Sequence, residues 1–282
     1  LYKTIRKNDG EWGIKPYSKY PCKDKVELTI EEERIRQLLK ADLNSQSCRC
    51  ELTKDEYHKQ YRKKYNEKNI ILVGAGPSTV DTQWQNIKDI DYVWSCNNYF
   101  LNKKMQDVKV DLAFIGPEVN IKDPHFLKKV KDDKTFCIFE GGVTPYRPHK
   151  EIEFLLNELD GRVGYMHLRF FSKLGAGARL LPAAMFLGAK NIYFAGIDGH
   201  PVNQVHAFEG ENKAHHGAPL VHNSYNIYRR QFVLMWEYLL NLNKSYGASF
   251  YNLGEKFEHN QSRDISLEIF PLPDSITSVI YN

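Results

Sequence analysis

The pattern of apolar positions changes at about residue 69. From there on, short continuous apolar runs alternate with polar, helix-like stretches. The runs are IILV at 70–73, YVWSC at 92–96, LAFI at 112–115, TFCIF at 135–139, IYFAGI at 192–197 and SFYNL at 249–253. Continuous apolar strands separated by helical segments are typical of a mostly parallel sheet that is covered on both faces. The sequence therefore predicts an α/β, doubly wound fold.

The N-terminal quarter follows a helical spacing instead. TIEEERIRQLLK begins with Thr29 and has Glu32 three residues later, which is a capping-box pattern, and TKDEYHKQYRKKY repeats it. Tyr57, Tyr61 and Tyr65 recur every four residues, so they lie on one face of the second predicted helix. Such a stripe packs a helix onto the following domain, and a membrane interface is the alternative.

Charge separates the same two regions, which we predict to be a basic helical extension (1–68) and a catalytic domain (69–282). Residues 1–68 contain 17 Lys and Arg against 12 Asp and Glu, whereas the rest contains 22 against 23. This basic excess suits an anionic membrane surface or a phosphorylated glycan, and an ordinary solvated surface explains it equally well. We expect no nucleic-acid partner.

Cellular location follows from three further features of the sequence. No window approaches the apolar length of a membrane helix, and the start of the chain carries no signal-peptide pattern. The five cysteines are odd in number and scattered, which favours a reducing compartment. The sequence therefore predicts a cytoplasmic protein, with a peripheral position at the inner face of the membrane as a variant of that prediction.

The first candidate site follows the first strand of the domain. Its residues are Gly74, Ala75, Gly76, Pro77 and Ser78. In a doubly wound sheet, ligands bind beyond the carboxyl ends of the strands, and here two glycines precede a helix start whose free N–H groups would attract phosphate. The stretch matches neither the dinucleotide fingerprint nor a P-loop. A tight turn without a ligand is the alternative.

Two further strand ends carry polar residues. Asn97 and Asn98 follow the second strand, where their amides suit a base or ribose edge, although asparagine is also common in turns. Asp198 closes a later strand and can hold a ribose hydroxyl, a metal or a helix N-terminus. Both positions belong to the same predicted edge of the sheet as the glycine turn.

A histidine-rich segment follows Asp198 at once. It contains His200, His206, His215, His216 and His222. Their spacing is not an established zinc pattern and no cysteine lies nearby, so we expect no bound metal. Magnesium would instead use Asp198, Glu209 or Glu211 together with substrate phosphates. The imidazoles suit acid–base or phosphate-binding roles, and plain loop structure is the alternative.

Taken together, these motifs resemble a known family. GAGPS, then CNNYF, then LGAGARLLPAAMFLGAKNIYFAGID with a later AF dipeptide and histidine are similar to the family-42 sialyltransferases. They also resemble the wider group that contains the archaeal 6-hydroxymethylpterin diphosphokinases. The resemblance covers roughly residues 69–253. It implies a Rossmann-like domain with a lid, a CMP-activated donor and no metal requirement. EGGVTPYRPHK has the composition of an acceptor-side or lid segment, and an ordinary surface loop is the alternative.

The resemblance also implies roles for individual residues. His222 would be the general base that deprotonates the acceptor hydroxyl, and His216 is our second candidate for that role. Lys173 would lie near the donor, and Gly177 would contact the nucleotide. The phosphate of the leaving group would be bound by His200 and His206. Polar residues of the family pattern are replaced at three positions, Ala75, Gly116 and Ala176.

The sequence therefore predicts an inverting glycosyltransferase without a cofactor. It would transfer an acidic 2-keto sugar, Kdo or a sialic-acid-like sugar, from a CMP-linked donor to a glycan or lipopolysaccharide acceptor. An ATP- and magnesium-dependent pyrophosphate transferase, similar to the pterin diphosphokinases, is the alternative from another enzyme class. A non-catalytic nucleotide-binding module is the third possibility.

Overall fold

The computed structural model of the chain describes ten stretches of residues. They are 2–6, 12–16, 63–116, 119–140, 149–160, 162–166, 170–171, 175–199, 232–256 without 234, 238 and 242, and 271–281. The predicted helices at 29–40 and 53–65 therefore lie outside the described residues, apart from a helical end at 63–65.

A seven-stranded parallel sheet forms the centre of the molecule. Its strands are β3 (Asn69–Val73), β4 (Tyr92–Cys96), β5 (Leu112–Phe114), β6 (Phe136–Glu140), β7 (Val163–Met166), β9 (Asn191–Ala195) and β10 (Ser249–Asn252). Their order is β10-β9-β3-β4-β5-β6-β7, and every neighbouring pair is parallel. All six predicted strands are confirmed to within two residues, and so is the α/β doubly wound fold.

Helices cover both faces of the sheet. They are α1 (Ser78–Asp81), α2 (Pro124–Asp133), α3 (His149–Glu158), α4 (Ala176–Phe186), α5 (Asp274–Ile280) and helical residues within 232–246, with 3-10 turns at Trp84–Asn86, Tyr99–Leu101 and Lys103–Met105. One apolar cluster contains α4 and the 232–246 helix, and the other contains α2, α3 and α5. None of the described helices has the length and hydropathy needed to span a bilayer.

Helix α4 is the central helix of the first layer. Every residue from Ala178 to Phe186 is buried, and all of them except Arg179 are apolar. A helix that is apolar all round belongs inside a protein rather than at its surface. Its buried body fixes the position of its half-buried first turn, which begins after Gly175 at the carboxyl edge of the sheet.

The N-terminal region contains strands that the sequence analysis did not predict. β1 (Tyr2–Arg6) and β2 (Trp12–Pro16) form an antiparallel pair, and β1 pairs in parallel with β8 (Phe170–Phe171). The description of residues 1–68 as helical is therefore wrong for these ten residues. The sequence contains a pattern that could have predicted these strands. Asp9-Gly10 lies between two stretches rich in aromatic and β-branched residues, and this arrangement favours a hairpin.

Tyr65 joins the end of the N-terminal region to the sheet. Its side chain is fully buried, and its ring lies edge-on to Tyr92 at 4.9 Å and to Trp94 at 4.8 Å. Edge-to-face aromatic pairs at such distances are favourable. The prediction that the tyrosine stripe packs its helix onto the following domain is thus confirmed for Tyr65, whereas Tyr57 and Tyr61 lie outside the described residues.

The strand order places a topological switch point between β3 and β9. From β3 the chain adds β4, β5, β6 and β7 on one side, and it then returns to add β9 and β10 on the other side. Ligands of doubly wound proteins bind outside the carboxyl ends of the strands at such a point. The glycine turn follows β3, and Asp198 follows β9, so both predicted elements flank the switch point.

Candidate functional site

The turn after β3 lies directly against the end of β9. Gly74 N donates to Ala195 O at 2.8 Å, and Gly76 N donates to Gly196 O at 2.8 Å. These bonds continue the β3–β9 pairing past the last residue of each strand. The two chain segments that flank the switch point are therefore hydrogen-bonded to each other beyond the ends of β3 and β9.

Three glycines make this close approach possible. A Cβ on Gly74 would lie 2.2 Å from Gly196 O, and a Cβ on Gly76 would lie 2.3 Å from Asp198 Oδ2. Gly196 has a φ of +68°, and its Cβ would lie 2.0 Å from Thr79 Oγ1. Contacts this short do not occur between real atoms. The packing of the protein on itself thus explains these three glycines without any ligand.

Ser78 and Asp198 form a buried bridge across the same contact. Asp198 Oδ2 accepts from Ser78 N at 2.9 Å, and Asp198 Oδ1 accepts from Ser78 Oγ at 2.5 Å. Gly196 N in turn donates to Ser78 Oγ at 2.8 Å. Asp198 is 3% exposed and Ser78 is fully buried. Of the three roles considered for Asp198, these contacts match the one at a helix N-terminus.

The start of α1 is therefore not the open phosphate site that the sequence analysis expected. Ser78 N is bound to Asp198, Thr79 N donates to Gly76 O at 3.1 Å, and Val80 N donates to Pro77 O at 2.9 Å. That expectation is corrected for a physical reason: the N–H groups are satisfied by the protein itself. Within the described part of the chain, Ala75 N is the amide of this turn with no hydrogen-bond partner.

A second helix start, that of α4, lies beside the turn. Gly175 is the N-cap residue and provides no side-chain hydrogen bond. The first N–H groups of an α-helix have no acceptor within the helix, and this end carries partial positive charge. A Cβ on Gly177 would lie 3.6 Å from Cys96 Sγ and 3.9 Å from Gly74 Cα. The first turn of α4 thus faces the ends of β3 and β4.

Gly177 differs from the three packing glycines. Distances of 3.6 and 3.9 Å are ordinary van der Waals contacts, so the protein has room for a Cβ at this position. Its φ lies outside the positive range that excludes L side chains. Glycine in a helix is less stable than alanine by roughly 0.5–1 kcal/mol. Among the described residues, packing and backbone conformation therefore give no reason for a glycine at Gly177.

The two asparagines after β4 have different surroundings. Asn97 has a φ of +50°, and its Oδ1 accepts from Gly116 N at 2.8 Å, which ties β4 to the chain after β5. Asn98 is 7% exposed, yet its side chain makes no hydrogen bond within the described residues. An amide that is not used by the described protein residues can accept one hydrogen bond and donate two to a ligand. Asn98 therefore has the character of a ligand-binding group.

Tyr99 follows Asn98 in the chain, and its ring is buried. Burial raises the pKa of Tyr99 well above its usual range, so the phenol stays protonated. Its hydroxyl lies 3.3 Å from Thr135 Oγ1, which also donates to Val110 O at 2.7 Å. These contacts connect the side chain of Tyr99 to the chain before β6, near the amino edge of the sheet.

The structure places the predicted residues in two groups. Those at the carboxyl edge of the sheet, in the described chain, are Gly74, Ala75, Gly76, Pro77, Ser78, Asn97, Asn98, Gly177 and Asp198. Those outside the described residues are Lys173, His200, His206, His215, His216 and His222. No group of three or more His, Cys, Asp or Glu able to hold a metal occurs among the residues whose placement is described.

The sequence analysis missed two residues of this edge. Cys96, the last residue of β4, is 4% exposed, and its Sγ forms the surface opposite Gly177. Gly196 was not singled out, although its positive φ lets the chain turn from β9 toward Asp198. The signal for Gly196 was a glycine directly after an apolar strand, where the backbone must change direction.

Comparison with solved structures gives matches to bacterial sialyltransferases. The monofunctional alpha-2,3-sialyltransferase Cst-I from Campylobacter jejuni matches with 19% identity and a TM-score of 0.50, covering 74% of this chain and 81% of that chain. The sialyltransferase CstII from Campylobacter jejuni, in complex with CMP-3FNeuAc, matches with 19% identity and a TM-score of 0.47 over 67% of this chain and 83% of that chain. The Cst-I match establishes a similar fold. No protein-family model and no curated protein matches the sequence.

Proposed function

We propose that this protein is a glycosyltransferase that uses a CMP-activated sugar. The nucleotide would bind over the carboxyl ends of β3 and β4, against the first turn of α4. The main support for this proposal is Gly177. The described residues leave room for a Cβ at this helical position, and neither their packing nor the backbone conformation requires a glycine there. A ligand that occupies this room explains why the position holds glycine.

Two nearby features suit the same ligand. The first N–H groups of α4 and the helix dipole favour a phosphate. The buried amide of Asn98 offers one acceptor and two donors for a base or a sugar. Both lie at the carboxyl edge, where doubly wound proteins bind their ligands. The phosphate-binding helix start is therefore assigned to α4 rather than to α1.

CMP is proposed as the nucleotide for two reasons. The fold is similar to that of an alpha-2,3-sialyltransferase. The GAGPS, CNNYF and LGAGAR motifs resemble those of the family-42 sialyltransferases, whose donors are CMP-linked. For the transferred sugar we propose an acidic 2-keto sugar, either Kdo or a sialic-acid-like sugar, and for the acceptor a glycan or lipopolysaccharide.

The proposed reaction is an inverting displacement at the anomeric carbon. The acceptor oxygen forms the new glycosidic bond while the bond between the anomeric carbon and the phosphate oxygen breaks, so that CMP leaves with the bonding electrons. His222, or His216 in its place, takes the acceptor proton. The roles proposed for Lys173, His200 and His206 are to stabilise the negative charge of the leaving CMP.

A ligand panel with a chelation arm tests the proposal. We expect CMP to raise the melting temperature of the purified protein, because a ligand at a hundredfold excess over its Kd stabilises the native state by about 2.7 kcal/mol. We also expect transfer from CMP-Kdo or CMP-sialic acid to continue in excess EDTA. Stabilisation by ATP with magnesium instead of CMP, with turnover that EDTA abolishes, would support the pyrophosphate-transferase alternative.

A substitution separates an enzyme from a binding module. His222→Ala should abolish transfer while CMP still stabilises the protein. Unchanged turnover in this variant would exclude His222 as the base, and the same experiment on His216→Ala then tests the second candidate. Binding of CMP without any transfer in the unsubstituted protein would support the non-catalytic module.

A further inference from the structure

We propose that Asp198 is a positioning residue that holds the turn after β3 and the chain after β9 as one rigid unit. Its two carboxylate oxygens accept from Ser78 N at 2.9 Å and from Ser78 Oγ at 2.5 Å. The rigid unit would pre-form one wall of the nucleotide site. The role of this unit in nucleotide binding rests on the proposed function, whereas the hydrogen-bonded bridge between Ser78 and Asp198 does not depend on it.

Helix α1 needs such an anchor because it is very short. It has four residues, and the first helical turn is unfavourable to form on its own. The carboxylate of Asp198 lies at its N-terminus. At the opposite end, Lys104 Nζ donates to Val80 O at 2.5 Å and to Thr82 O at 2.7 Å. A negative group at the start and a positive group at the end both match the helix dipole.

The hydroxyl of Ser78 connects the two segments in both directions. It donates to Asp198 Oδ1 and accepts from Gly196 N at 2.8 Å. Gly76 N adds a backbone bond to Gly196 O at 2.8 Å. Hydrogen bonds in a buried, satisfied network are individually stronger than in water, and such networks make a structure rigid. A shift of the turn relative to β9 would have to break several of these bonds together.

The position of this turn sets the size of the space at Gly177. Gly74 Cα lies 3.9 Å from the site of a Gly177 Cβ, so the turn is one boundary of the room available to a ligand. A displacement of about 1 Å in a binding site can cost as much as about a hundredfold in rate. Asp198 also precedes Gly199 (φ +84°), so the bridge fixes the point from which the chain continues toward His200.

A matched pair of hydroxyl deletions tests the proposal. Ser78→Ala removes a fully buried hydroxyl with two hydrogen-bond partners, Asp198 and Gly196. Thr135→Val removes another fully buried hydroxyl, which donates to Val110 O and contacts Tyr99 OH near the amino edge of the sheet. The two variants should lose similar amounts of thermal stability, because each loses the same kind of buried contact.

Nucleotide affinity is the first readout of this pair. By calorimetric titration with CMP, Ser78→Ala should bind about tenfold more weakly than the unsubstituted protein, equal to about 1.4 kcal/mol. Thr135→Val should bind within about twofold of it, a difference well below 1 kcal/mol. In turnover assays the Ser78→Ala change should appear mainly in KM rather than kcat, because donor binding is what the bridge affects. Equal affinity in the two variants would overturn the positioning role.

Hydrogen exchange is the second readout, and it needs no nucleotide. In Ser78→Ala, the amides of Gly76 and Gly196 should exchange about tenfold faster, because the loss of the bridge opens both segments together. In Thr135→Val those amides should keep their protection. If the exchange result holds but no protein binds CMP, the bridge stands and the proposed function fails. If protection at Gly196 is unchanged in Ser78→Ala, the two segments are not one unit and the inference is wrong.

A graded change at Asp198 completes the test. Asp198→Asn keeps an acceptor for Ser78 N, whereas Asp198→Ala leaves that buried N–H without a partner. CMP affinity should therefore fall less in Asp198→Asn than in Asp198→Ala. Adding Ser78→Ala to Asp198→Ala should cause little additional loss, because one bridge has already been removed. Fully additive losses would contradict a shared mechanism.

Discussion

The two edges of the seven-stranded sheet use their polar residues differently. At the amino edge, three aspartates hold backbone N–H groups near strand starts: Asp91 accepts from Asn69 N at 2.9 Å, Asp111 from Val93 N at 3.1 Å and Asp133 from Val110 N at 3.0 Å. At the carboxyl edge, the side chain of Asn98 makes no hydrogen bond to a described residue, and the described residues leave room for a side chain at Gly177.

We therefore expect polar residues of the amino edge to contribute to stability and those of the carboxyl edge to contribute to ligand binding. A polar group whose hydrogen bonds are satisfied within the protein contributes to the fold, and its loss is seen in the free energy of unfolding. A polar group that serves a ligand contributes to binding instead, and its loss is seen in the affinity for that ligand. Substitutions at the two edges should therefore affect different measurements, and the four predictions below follow that division from the largest expected effect to the smallest.

The largest expected effect is at Gly74, which belongs to the carboxyl edge but serves packing. In Gly74→Ala the new Cβ would lie 2.2 Å from the backbone oxygen of Gly196, and neither backbone can move without breaking the β3–β9 pairing. We expect a loss of about 3 kcal/mol or more in the free energy of unfolding. Denaturant titration measures it. A variant as stable as the unsubstituted protein would show that the turn is not packed against β9.

Gly177→Ala should give the opposite result. The new Cβ meets Cys96 Sγ at 3.6 Å, so stability should be unchanged or should rise by roughly 0.5–1 kcal/mol. CMP affinity should fall about tenfold or more, equal to at least about 1.4 kcal/mol, because the methyl group occupies the ligand's room.

Gly247→Ala is the control for this substitution. Gly247 precedes β10 at the amino edge and has a φ of +70°, with no atom of a described residue within 4 Å of its Cβ position, so alanine there should lower stability without changing affinity. Unchanged CMP affinity in Gly177→Ala would remove the main support for the proposed site.

Substitutions of two buried asparagines should also separate effects on CMP affinity from effects on stability, with smaller magnitudes. Asn98→Ala should weaken CMP binding by about 1–2 kcal/mol with little loss of stability, because no described protein group loses a partner. Asn102 is also buried, but its Oδ1 accepts from Lys104 N at 3.0 Å, so Asn102→Ala should lower stability by about 1 kcal/mol and leave affinity unchanged. Calorimetry and thermal unfolding of both variants would show whether the effects separate in this way.

The smallest expected effect concerns pH at the amino edge. The hydrogen bond from Asn69 N, aided by Lys68, lowers the pKa of Asp91 below its usual value. A lowered folded-state pKa stabilises the protein above the unfolded-state pKa, and this contribution is lost as the pH falls toward the folded-state value. The stability gap between the unsubstituted protein and Asp91→Asn should therefore narrow between pH 7 and pH 3. A gap that stays constant over this range would contradict the assigned cause.

The sequence was sufficient to predict the main architecture. Six apolar runs became six strands, because strands buried on both faces are short and continuously apolar, and each run is shorter than a typical helix. β7, with the sequence VGYM, was missed because a short edge strand carries little of this signal. The pair β1 and β2 was missed because capping-box patterns further along the chain favoured helices for the whole N-terminal quarter.

The site was predicted in location but not in detail. The sequence placed a glycine turn, two asparagines and an aspartate at one edge, and the strand order confirms that placement. It could not show that Ser78 and Asp198 bind each other, because their contact joins residues 120 positions apart. Nor could it separate glycines needed for packing, such as Gly76, from Gly177, because that distinction depends on distances to neighbouring chain segments.

The most direct test of the central claim is a crystal structure of the protein with CMP bound. The account predicts the phosphate within hydrogen-bond distance of the first N–H groups of α4, the nucleotide in van der Waals contact with Gly177, and a polar atom of the ligand bonded to the side chain of Asn98. CMP bound away from the ends of β3 and β4, with the room at Gly177 filled by the protein's own side chains, would contradict it.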